Sequence, residues 1–136
     1  MIINNETLMP LIIESLNEGK LTSFKVKGQS MWPFYKDGKT SVYLKKSTYK
    51  KNDVVLFKYK GSYYLHRIKK INQHLVVCRG DGSLYKEFPN KSDIYGKVVF
   101  YEHNNKKKEE ASITHQFIVC FYGLIPFKKL LFRVFK

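Results

Sequence analysis

Two cysteines in 136 residues, Cys78 and Cys120, make no disulfide framework. No CxxC pair and no Cys/His cluster suggests zinc, and nothing implies a metal or an organic cofactor. A reduced compartment is the default for such a chain. No apolar run of about 18 residues is present, so no ordinary transmembrane helix is expected. The N-terminus lacks a basic stretch followed by an apolar one, so no secretory signal is expected either. The expected location is cytoplasmic or peripheral at a membrane surface. Acidic residues are scarce: 11 Asp plus Glu against 25 Lys plus Arg, a net charge of +14. Such a field favours nucleic acid or a phospholipid surface, or it is simply a solvated Lys-rich exterior. The basic residues are scattered and no helix-turn-helix or RNA-binding signature accompanies them, so no specific nucleic acid is expected.

What the chain does have is apolar and aromatic. It is 43% hydrophobic, with ten Tyr and ten Phe, which leans toward β structure in a single domain. Residues 6–18 read as a helix: Leu8, Ile12 and Leu16 recur at helical spacing, Asn5 stands at the start and Gly19 at the stop. From Lys20 the period changes. Strands are expected at Leu21–Val26, Thr40–Leu44, Asp53–Tyr59, Ser62–Ile71, Leu75–Cys78 and Ile94–Tyr101. Lys60-Gly61-Ser62 reads as a hairpin turn and Gly80-Asp81-Gly82-Ser83 as another turn. The expected fold is mostly β, an antiparallel barrel or sandwich with an N-terminal helix. The units are a helix over 1–19, a β domain over 20–101, a charged linker over 102–112 and an apolar, basic tail over 113–136. In that tail Lys129, Arg133 and Lys136 share one helical face, with Leu130, Leu131 and Val134 opposite. It reads as an amphipathic segment that lies on an anionic membrane surface or packs on the domain.

The chemistry-bearing residues fall in a fixed order. Gly28-Gln29-Ser30-Met31-Trp32-Pro33 comes first, then Asn52-Asp53-Val54-Val55, then Leu65-His66-Arg67-Ile68, then Arg79-Gly80-Asp81-Gly82. A hydroxyl, an imidazole and a carboxylate in that order are the parts of a nucleophile, a general base and a base-orienting acid. Each also has a plainer reading. Ser30 could be a turn serine, His66 a half-buried packing residue, Asp81 an Asx-turn residue and Glu87 a surface acid. His74, His103 and His115 have no evident partners, and Lys106–Lys108 reads as solvated.

Taken together, these boxes resemble those of the signal peptidase I and self-cleaving-repressor superfamily of serine peptidases, over roughly residues 20–101. Gly-Gln-Ser-Met-Trp-Pro is similar to its nucleophile box, Leu-His-Arg-Ile to its His-Arg box and Arg-Gly-Asp-Gly to its Gly-Asp box. Asp93-Ile94-Tyr95-Gly96-Lys97-Val98-Val99 resembles its closing strand. Asn52 stands where the family has Gly, and Lys39 where it often has Asp. With His66 in its box, the chain is similar to the His-containing type and to small bacterial relatives without an N-terminal anchor.

The resemblance implies a serine endopeptidase that cuts an extended leader or signal-like peptide next to a small residue. Ser30 would be the nucleophile and His66 the base. Asp81 would orient the imidazole, with Glu87 as the alternative acid. Backbone N–H groups of the Gly28–Ser30 turn would hold the oxyanion, worth roughly 3–4 kcal/mol per donor in known cases. A substrate strand would be met by Gly28, Gln29 and Met31 beside the nucleophile, and by Tyr64 and Ile68, which share a strand face with His66. A non-catalytic peptide-binding module on the same fold is the competing expectation.

Overall fold

The computed structural model describes residues 2–3, 8–104 and 106–110. Nine strands among them form one antiparallel sheet with a single α-helix on it. In chain order these are β1 (Ile2–Ile3), α1 (Leu8–Asn17), β2 (Thr22–Lys25), β3 (Ser41–Lys45), β4 (Val54–Tyr59), β5 (Ser62–Ile71), β6 (Val76–Arg79), β7 (Lys86–Glu87), β8 (Ile94–His103) and β9 (Lys106–Glu109). The order across the sheet is β2-β3-β8-β4-β5-β6-β7, with β1 on the edge of β5 and β9 on β8. The mostly β class, the single helix and the six expected strands are all present.

Helix α1 forms because Met9, Ile12 and Leu16 bury one face, each contributing about 1.5–3 kcal/mol. It stops where the Gly19 and Lys20 N–H groups turn back to the Leu16 and Ser15 carbonyls, at 3.0 and 3.1 Å. Its buried face packs with Val42, Leu44, Val54, Leu56, Leu65 and Val98 in one core. The opposite face of β4 and β5 supplies Val55, Phe57 and Ile68 to a second core with Val76, Cys78 and Ile94. Strand β4 is therefore buried on both sides, and its apolar run needs no alternation. The β4–β5 hairpin turns on Lys60 and Gly61, both at positive φ, as a two-residue turn requires.

Two features differ from expectation. The stretch read as a charged linker from residue 102 is folded over its described part. Strand β8 runs to His103, and Lys106–Glu109 pairs back on it through Tyr101↔Lys108 and His103↔Lys106. Lysine has weak strand propensity, so pairing makes this strand, and a Lys-rich edge suits a strand open to solvent. A second short strand, β7, carries Glu87. The tail from 113 and the start of the expected helix, with Asn5, lie outside the described residues. No described helix is long and apolar enough to cross a membrane.

Candidate active site

Ser30 lies in the long connection between the paired strands β2 and β3. Buried Met31 and Tyr35 pin that connection to the core, and the Phe34 and Tyr35 N–H groups both donate to the Met31 carbonyl at 3.0 Å. Gly28 enters it at φ 89°, a left-handed conformation that favours glycine, and its N–H donates to Asp37 Oδ1 at 2.8 Å. Thr40 closes the loop by accepting the Lys36 N–H on Oγ1 at 2.8 Å. Ser30 itself stays half-exposed while Met31 beneath it is buried.

Strand β5 brings the imidazole to this hydroxyl. His66 is 3% exposed, and its Nε2 lies 2.9 Å from Ser30 Oγ. Its Nδ1 makes a short contact with Glu87 Oε1 on β7. A carboxylate at Nδ1 holds the ring proton there, so Nε2 is left to accept the Ser30 O–H. Hydroxyl, imidazole and carboxylate thus form one hydrogen-bonded line. Glu87 is buried, and the Cys78 thiol opposite it is pushed up to about 12, by burial first and the nearby carboxylate second.

Asp81, expected as the orienting acid, does not reach His66. It pairs with Arg67: Nε donates to Oδ1 at 2.9 Å and Nη2 to Oδ2 at 2.8 Å. The ladder explains the exchange. Arg67 stands opposite Arg79 and Ile68 opposite Cys78, which in turn stands opposite Glu87. Opposite residues share a face and neighbours alternate. Glu87 therefore falls on the face of Ile68 and His66. Asp81 lies in the turn past the end of β6, and its hydrogen bonds place it on the Arg67 side.

That second face holds a buried polar network. Arg67, fully buried, also donates through Nη1 to the Asn52 carbonyl at 2.8 Å and to Glu110 Oε1. Tyr35 donates its O–H to Glu110 Oε2 at 2.8 Å. Burial pulls the guanidinium down, but Asp81 and Glu110 more than offset it and hold Arg67 well above its ordinary value. Burial, then Glu110, raises the Tyr35 phenol well above its own. The network reaches the nucleophile through the backbone, because the turn that Asp81 anchors donates its Gly82 N–H to the Ser30 carbonyl at 2.6 Å.

The expected substrate residues divide. Gly28 and Gln29 are exposed beside Ser30. The half-buried Tyr64 ring lies 5.4 Å from the His66 ring. Met31 is instead buried and accepts the Asp81 N–H on its sulfur at 3.3 Å, while Ile68 is fully buried in the second core. Both support the site from beneath. The Gly28 N–H is committed to Asp37, while among the described residues no hydrogen bond engages the Ser30 N–H. His74 is exposed, and His115 lies outside the described residues.

Two contributors were missed in the sequence. A Cβ on Gly80 would stand 2.3 Å from the Ser30 carbonyl oxygen and 2.9 Å from His66 Nε2, so only glycine fits there. Its place in the Arg-Gly-Asp-Gly box was the available signal. Leu84, Tyr85 and Phe88, near Glu87 in the chain, are at least half exposed. Among the described residues no three His, Cys, Asp or Glu side chains gather as a metal site. A family model described as Peptidase S24-like matches residues 2–99. No curated protein and no solved structure matches the chain.

Proposed function

The chain belongs to the Peptidase S24-like family, and from that premise we propose that it is a serine endopeptidase acting through Ser30, His66 and Glu87. The observation that carries the reading is the line from Ser30 Oγ through both His66 nitrogens to Glu87. Ser30 Oγ attacks the peptide carbonyl carbon as its proton passes to His66 Nε2. Glu87 stabilises the resulting imidazolium, and the Ser30 N–H faces the charge that develops on the carbonyl oxygen. Collapse breaks the C–N bond, and Nε2–H gives its proton to the leaving amine. Water then repeats the sequence on the acyl-serine, with His66 as base again.

The substrate is an extended segment of the leader or signal-like kind, bound as a strand. On the edge of β5 away from β4, β1 pairs at Tyr63 and Tyr64, and β6 begins to pair at Arg67. Leu65 and His66 lie between, so a strand approaching the nucleophile along this edge competes with β1. Leu84, Tyr85 and Phe88 supply apolar contact on the side of the acid. A fluorophosphonate probe tests the reading: it should label wild type at Ser30 and leave Ser30→Ala and His66→Ala unlabelled. A folded wild-type protein that takes no label and cleaves no peptide would return the chain to a binding role.

A further inference from the structure

A cleft of about 330 Å³ opens on the far side of the nucleophile loop, between that loop and the β8–β9 hairpin. Pairing sets its chemistry. Tyr101 opposes Lys108 and His103 opposes Lys106, so these four side chains share one face. Lys107, one residue out of step, turns the other way and lies over the rings of Tyr43 and Phe100, at 6.0 and 5.3 Å. The nucleophile loop contributes Pro33, Phe34 and Lys36 to the lining.

Among the described residues the cleft is lined by three lysines, His103 and Asn104 beside Pro33, Phe34 and Tyr101, with no acid. Among the described residues, no ion pair engages Lys36, Lys106 or Lys108. The Nδ1 of His103 is buried without a hydrogen-bond partner. Glu102 and Glu109 adjoin cleft residues in sequence but alternate to the other face of the hairpin, opposite Lys107 and Phe100, and Glu110 is already held by Arg67 and Tyr35. Lys36, Lys106 and Lys108 are exposed and line the same cleft from two elements, a set that matches an anion with several oxygens. Lysines are rotatable point charges that suit a tetrahedral phosphate. The volume exceeds that of phosphate alone and leaves room for a ring or chain against Pro33, Phe34 and Tyr101.

We propose that this cleft binds a phosphate ester with an apolar or aromatic substituent. The site is separate from the proposed peptidase centre, and its test does not depend on peptide cleavage. The full-length chain is titrated calorimetrically with phenyl phosphate, and separately floated with phosphatidylcholine vesicles containing phosphatidic acid. Saturable one-to-one binding of phenyl phosphate, weakened at least tenfold in Lys106→Ala/Lys108→Ala and unchanged in Lys107→Ala, identifies a soluble ester. Vesicle binding with the same variant pattern but no phenyl phosphate binding identifies a lipid headgroup. Lys36→Ala, which leaves the hairpin untouched, must show a loss in the same assay, so a folding defect in the double variant does not decide the outcome. No saturable binding in either arm, or an equal loss in Lys107→Ala, overturns the proposal.

Discussion

His66 and Arg67 are neighbours in sequence and face opposite sides of β5, each held by its own carboxylate: Glu87 for the imidazole and Asp81 for the guanidinium. One strand thereby separates the proposed catalytic line from a buried structural network. Substitutions of the two acids are expected to fail in different ways.

On the catalytic side, Ser30→Ala and His66→Ala should each abolish turnover with thermal melts near wild type. Residues that act as a unit lose function non-additively, so the double variant should be no worse. Glu87→Gln should lower kcat by roughly 10³- to 10⁴-fold, because the amide no longer holds the useful tautomer. Steady-state kinetics on a cleaved peptide check the series, and full activity in Glu87→Gln would remove it from the mechanism.

On the structural side, Asp81→Ala leaves a fully buried guanidinium short of a partner. Breaking such a pair costs about 3–5 kcal/mol. Urea denaturation should show that loss, with Glu110→Ala destabilising in the same direction through the shared Arg67. An Asp81→Ala protein as stable as wild type but catalytically dead would instead give Asp81 a direct role.

Gly80→Ala places a methyl group against the Ser30 carbonyl and the His66 ring. Labelling of Ser30 by a fluorophosphonate should fall at least as far as in Glu87→Gln, although the change adds one carbon and no charge. A labelling rate equal to wild type would show that the turn relaxes without moving the nucleophile.

Removal of residues 1–4 deletes β1 and frees the Tyr63–Tyr64 edge of β5. If substrate pairs on that edge, KM for an extended peptide should drop while kcat is little changed. A higher KM with unchanged stability would mean that β1 helps bind substrate.

Alkali should weaken the fold. Burial raises the folded-state pKa of Cys78 to about 12 and raises those of Tyr35 and Tyr101 as well. A raised acid keeps its proton in the folded state after the unfolded state has lost it. The stabilisation is thus complete below about pH 9 and declines as pH climbs toward 12. Urea midpoints should fall between pH 8 and 10.5, and Cys78→Val should fall less steeply; parallel curves for the two proteins would assign the loss elsewhere.

The sequence by itself determined the strands rich in Val, Ile and Tyr, the two-residue turn at Lys60-Gly61, and the identity of Ser30 and His66 as partners. Those features rest on local propensity and on short boxes whose residues act within a few positions of one another. Tertiary structure alone decided which acid meets the imidazole. That choice depends on register, and a shift of one residue in a ladder sends every side chain to the other face. The pairings Arg67↔Arg79 and Cys78↔Glu87 set it. They join strands across turns, and β7 is two residues long, too short to leave a periodic signal. The same holds for Lys106–Glu109, whose lysines read as solvated linker until β8 supplied the hydrogen bonds that make them a strand.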